Sequence, residues 1–174
     1  MGSLVWSGLY SFMANLAIGF FVYFKNPKKK VNILFALFSL TVSGWSVGSF
    51  LENIIPDKQA TLQILRCNYL FAVWLPSVYV HFAYALTGAS SKVHLRKLQF
   101  SYLTSVIFSP LVFTPWFIPH LRTIEGTHFT ISYPGPVYYA FFAFFGIGVC
   151  EVLFHTLNRL KASSGRQRAI CSRR

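Results

Sequence analysis

Residues 68–88, NYLFAVWLPSVYVHFAYALTG, contain no Lys, Arg, Asp or Glu. At about 1.5 Å of rise per residue, some twenty helical residues cover roughly 30 Å, the thickness of a bilayer's hydrocarbon core. The Val, Tyr and Phe content would suit a strand, but buried strands end after about eight residues. The run therefore reads as a membrane-spanning helix, and its neighbours must be compatible with a chain that threads a bilayer.

They are. Residues 4–24 are uncharged and are followed at once by Lys25, Lys28, Lys29 and Lys30. A cleaved signal peptide carries its positive charge before the apolar run, so this order predicts a retained anchor with its N-terminus outside. Asn26-Pro27 ends the helix, because proline disfavours helical geometry in the residue before it. Residues 31–51 form a second run, and a polar turn at 52–61 leads into a third at 64–87, which could begin as early as Leu62. Arg66 would then snorkel at the outer end, and Pro76 lies inside the span. A basic loop at 89–97, a fourth run at 98–118, a long loop at 119–136 suited to turns and a short hairpin, and a fifth run at 137–157 complete the pattern. The expected fold is an all-α polytopic membrane bundle over residues 1–158, with spans at about 4–24, 31–51, 64–87, 98–118 and 137–157, followed by a basic tail at 159–174.

The net charge of +12 would make nucleic acid the first partner to consider in a soluble protein. Its distribution argues for a membrane. With five spans, thirteen of the sixteen Lys and Arg residues fall on one side, in the 25–30 loop, the 89–97 loop and the tail. Because basic loops are retained in the cytoplasm, this predicts an external N-terminus and a cytoplasmic C-terminus. Lys28, Lys29, Lys30, Arg166 and Arg168 become the cytoplasmic anchors, lipid becomes the partner, and nucleic acid is not needed. The charged share of 11%, against roughly 25% for soluble domains, agrees.

Glu151 is the one acid within a predicted span, and charge at depth costs at least about 2.5 kcal/mol on insertion scales. His155 follows one turn later on the same face. The pair could be a proton- or ligand-sensing element. The preferred reading is a neutral, hydrogen-bonded carboxyl near the cytoplasmic end, capped by His155 and Arg159. His81, among aromatic residues in the third span, reads as a packed core residue before a ligand, and Asn15 and Asn68 read as interhelical hydrogen-bonding groups. Gly44 and Gly48 form a small-residue pair that suits close packing within the bundle, with a homodimer face as the lesser reading. Cys67, Cys150 and Cys171 lack metal-type spacing and predict neither disulfide nor zinc site. No phosphate-binding glycine loop, zinc-protease helix or nucleophile elbow is present, so neither a cofactor nor catalysis by this chain is expected.

One set of landmarks goes further. Asn32 heads the second run, with Trp45 and Gly48 near its end; Arg66, Pro76, His81-Phe82-Ala83 and Thr87-Gly88 mark the third; Pro134-Gly135-Pro136 leads into the fifth, and Gly165-Arg166-Gln167-Arg168 follows it. In order and spacing they resemble the N-terminal seven-helix membrane region of bacterial sensor histidine kinases. The resemblance implies a signal-input module in the bacterial inner membrane that passes its state to cytoplasmic kinase domains after the last helix. The family would continue with further spans and a kinase beyond Arg174, so the resemblance implies a truncated reading, or a stand-alone relative acting through a partner. The competing reading is a small transporter or channel subunit with Glu151, His155 and His81 along a polar path. Sparse polar residues in the spans and the lack of an internal repeat disfavour it.

Overall fold

The computed structural model describes the backbone of residues 3–123 and 130–171, with side chains for 6–121 and 132–161. It contains five helices, α1 (Ser3–Lys25), α2 (Lys30–Ile54), α3 (Lys58–Thr87), α4 (Lys92–Leu111) and α5 (Pro136–Cys171), with a hairpin of β1 (Leu121–Thr123) and β2 (Thr130–Ser132) between the last two. The hairpin is antiparallel, pairing Leu121 with Ser132 and Thr123 with Thr130.

The boundaries have local causes. α1 stops at Lys25, before the Asn26-Pro27 break, and the Asn32 amide of α2 donates back to the Val22 carbonyl at 3.0 Å. The α2–α3 connection is only residues 55–57, shorter than the polar turn expected at 52–61, because α2 continues through Glu52 to Ile54 and Lys58 opens α3. Asp57 caps α3 by accepting from the Ala60 N–H at 2.7 Å. Gly88, in the left-handed region at φ 66°, ends it, as glycine does without steric penalty.

Four helices, α1, α2, α3 and α5, are long and apolar enough to cross a membrane. The exception is α4, where a fourth run was expected at 98–118. Its first turns are spent on Lys92, His94, Arg96 and Lys97, so the basic loop expected at 89–97 is partly helix, and the helix ends at Leu111, just after Pro110. Residues 112–117 form turns instead, and the chain reaches the hairpin through the fully buried Phe117 and Ile118. Nevertheless the 92–121 segment runs the length of the bundle. At one end His94 shares a crevice with Lys30 and Gly88, and at the other Leu121 lies with Glu52 and Thr61.

α3 is the centre of the bundle, packing against α2, α4 and α5, while α1 packs on α2. The larger core cluster joins Leu65, Ala72 and Val73 of α3 to Phe108, Val112, Phe117, Phe141 and Phe144. Around it Tyr69 meets Phe117, Tyr138 and Phe141 edge-on at 5.3–6.2 Å between centroids. Glycines set the closest approaches. A Cβ on Gly44 would lie 2.5 Å from the Phe71 ring, one on Gly48 2.5 Å from the Asn68 amide carbon, and one on Gly148 2.8 Å from Pro76. Gly44 and Gly48 thus pack against α3 of the same chain.

Gly135 admits no side chain, because a Cβ would run into the Trp116 carbonyl, and its N–H donates to the Phe117 carbonyl at 2.8 Å. Gly135→Ala is expected to cost about 1–3 kcal/mol as an overpacking change, read as a lowered unfolding temperature in detergent. Gly146→Ala, with nothing within 4 Å of its new methyl, is expected to leave stability unchanged or slightly raised.

Candidate functional site

Helices in lipid cannot pass unsatisfied polar groups to water, so each must find a partner inside the bundle. Three groups on α3 do so against three helices. Near the hairpin end, the Asn68 amide donates to Glu52 at 2.8 Å and to Ser49 at 3.3 Å, both on α2. Mid-helix, Ser77 Oγ lies 2.7 Å from Ser101 and 2.8 Å from Ser105, and Ser105 donates to the Val73 carbonyl at 2.8 Å. Each hydroxyl has one proton. Ser105 spends its own on Val73, so Ser77 donates to Ser105 and Ser101 to Ser77. This relay lies beside Pro76, which has no N–H to continue the helix ladder. Trp74 donates to Ser109 at 3.1 Å and His81 bonds Tyr102 at 3.0 Å, extending the α3–α4 seam.

The densest group is at the basic end. Tyr84 of α3 donates to Glu151 Oε1 of α5 at 2.5 Å, and Lys97 of α4 forms an ion pair with Oε2 at 2.7 Å. The rings of Tyr84, His94 and His155 meet edge-on in a triangle, with centroids 4.7–5.1 Å apart. Thr87 lies 2.7 Å from His155 Nε2, and its hydroxyl proton goes to the Ala83 carbonyl at 2.8 Å. His155 Nε2 is therefore the donor in that pair. Ser91, the cap of α4, bonds His94 Nδ1 at 2.6 Å. Three helices thus converge on one carboxylate and one ring triangle.

Glu151 and His155 both face this cluster but do not bond each other. Each is held by α3, and Glu151 has Lys97 as its counter-ion, so the neutral carboxyl capped by His155 and Arg159 gives way to an ion pair. Asn68 bonds between helices, whereas Asn15 does not: it donates to the Ser11 carbonyl of its own helix at 2.8 Å, and α1 and α2 are linked by Ser11 with Ser46 at 3.0 Å and by Asn32 with Val22. A serine one turn earlier outcompetes the second helix. Arg66 turns inward and donates to the Ile118 carbonyl at 3.2 Å rather than snorkelling. Lys28, Lys29 and Lys30 are exposed, while the side chains of Arg166, Arg168 and Cys171 lie outside the described residues. Lys97, Tyr84, His94 and the serine relay had no counterpart in the sequence reading. The signals were present in Ser77 beside Pro76, and in Ser101 and Ser105 four residues apart on α4.

Four long apolar helices, with buried polar side-chain atoms paired apart from Arg66 Nε and Asn68 Oδ1, fit a membrane helix bundle, and no group of His, Cys, Asp and Glu suited to a metal occurs among the described residues. The chain belongs to the family of N-terminal 7TM regions of histidine kinases, whose family model matches residues 8–171. No curated protein and no solved structure matched it in the corresponding comparisons.

Lys97→Met is expected to destabilise the bundle by about 1–3 kcal/mol by leaving a charged carboxylate short of a partner. Adding Glu151→Gln should recover part of that loss, which a double-mutant cycle on detergent-solubilised protein measures. Strict additivity would show that the pair is not coupled.

Proposed function

We propose that the chain is the signal-input module of a sensor kinase, non-catalytic in itself, with its N-terminus outside and its C-terminus in the cytoplasm of a bacterial inner membrane. The observation that carries the reading is the length of α5, whose 36 residues from Pro136 to Cys171 form one unbroken helix. At 1.5 Å per residue it is about 54 Å long, well beyond the roughly 30 Å hydrocarbon core. It leaves the bundle at the basic end, where Tyr84, Thr87 and Lys97 hold it. A shift at that junction moves the projecting half of α5 as a rigid rod towards whatever cytoplasmic kinase domain follows or docks on it.

A transport path is the poorer account. His81, Glu151 and His155 each bond to a different neighbouring side chain, Tyr102, Tyr84 with Lys97, and Thr87. They serve as interhelical links. Gly44 and Gly48, filled by Phe71 and Asn68 of the same chain, offer a homodimer no open face.

Two measurements test the reading. With the native cysteines replaced by serine, Lys28→Cys and Arg166→Cys should react with an impermeant maleimide only after cells are permeabilised, and Lys58→Cys in intact cells; labelling of positions 28 and 166 on opposite faces overturns the orientation. With the chain joined through α5 to a histidine-kinase core, Thr87→Val and His155→Phe should each change autophosphorylation by about threefold or more, matching a coupling of roughly 0.5–2 kcal/mol. The exposed Phe142→Leu should not. Output from all three equal to that of the unsubstituted fusion removes the α3–α5 junction from the signalling path.

A further inference from the structure

α4 and α5 both pack on α3 and meet each other at two places, Lys97 against Glu151 and Phe108 against Phe141 and Phe144, which leaves a crevice of about 500 Å³ between them. Pockets that enclose small organic ligands run to roughly 300–1,000 Å³. Its walls are apolar, with Phe100 and Phe108 on α4 facing Ala140, Ala143 and Ile147 on α5. Small side chains on α5 create the space, since Ala140 and Ala143 stand where larger residues would close the gap. Lys97 to Phe108 is eleven residues of helix, about 16 Å, the length of one extended hydrocarbon chain.

One end of this slot is polar. Lys97 and Glu151 line it, and Lys97 is 48% exposed against 21% for Glu151. An ammonium has three N–H donors, and Glu151 takes one, so Lys97 can serve a second acceptor without giving up its ion pair. The same ends of α4 and α5 carry Lys92, Arg96, Arg159 and Lys161, and Glu151 is the only acid on either helix. The field at the mouth favours an anion, while the walls favour hydrocarbon.

We infer that the α4–α5 crevice binds a single-chain anionic amphiphile, a long-chain carboxylate, with its chain between Phe100, Ala143 and Ile147 and its headgroup on Lys97. Because Lys97 also holds Glu151, and Glu151 holds Tyr84, the headgroup contacts the cluster that fastens α5 to α3. The binding stands on the crevice alone; that it is a signal rests on the signal-input reading.

The full chain in zwitterionic nanodiscs, irradiated with a diazirine-bearing fatty acid, tests it. Labelling is expected to saturate, to map to peptides from α4 and α5, and to be displaced by unlabelled fatty acid at least tenfold better than by the alcohol of equal length. Lys97→Met should weaken competition at least tenfold, Lys97→Arg should retain it, and Ala143→Phe should abolish labelling while thermal unfolding reports a folded bundle; Ala140→Leu is the milder filling variant if it does not. Unsaturable labelling spread equally over α1 and α2 marks bulk lipid contact and overturns the inference, as does equal displacement by a two-chain anionic phospholipid. Failure to bind leaves the signal-input reading standing. Saturable binding with unchanged output from a fused kinase core that still responds to Thr87→Val leaves both the site and the signal-input reading standing and removes the ligand's role as the signal.

Discussion

Polar groups inside a lipid layer must find partners within the protein, and in this chain most of the bonds between helices involve α3. It donates to α2 through Asn68, shares the serine relay with α4, and holds α5 through Tyr84 and Thr87. Apolar packing alone would not single out one arrangement, because lipid tails are as apolar as leucine and exclude nothing. The hydrogen bonds supply the register that the hydrophobic effect would supply in water. Pro76 sharpens this, since it interrupts the ladder of α3 where Ser105 reaches the Val73 carbonyl and where Gly148 lets α5 approach.

A hub of this kind distributes freedom unevenly. α1 is bound to α2 through Ser11, Ser46 and Asn32 and presents most of its surface outward. α5 is fastened by aromatic packing around Tyr138 and Phe141 at one end and by hydrogen bonds to Glu151 and His155 at the other. Between these it touches α3 at Gly148, and it meets α4 at Phe108 and Lys97. A long helix pinned in this way can pass a displacement at its polar end to its projecting half, as a signal-input role requires.

Much of this was legible in the sequence because charge-free runs of spanning length have few alternatives. The positions of α1, α2, α3 and α5 follow from hydropathy and the Asn26-Pro27 and Thr87-Gly88 stops. α4 departs from its expected run because helix capping by Ser91 operates regardless of charge, so the helix starts among Lys92, Arg96 and Lys97, and Pro110 and Pro115 release it into turns. The site was half legible. Glu151 stands out as an acid within an apolar run, but its partners come from α3 and α4, 67 and 54 residues away in the chain, and no local pattern encodes such a distance. Asn15 misleads for the opposite reason: an amide one turn after a serine satisfies itself locally.

Proximity of Ser77 to Ser101 in the membrane is the most direct measure of α3 as the hub. With the native cysteines replaced, Ser77→Cys and Ser101→Cys in one chain should form a disulfide in native membranes under mild oxidation, because the two hydroxyls lie 2.7 Å apart. The control pair, Ser77→Cys with the exposed Leu103→Cys, should not. Efficient crosslinking of the control pair, or none at 77 and 101, would contradict the account.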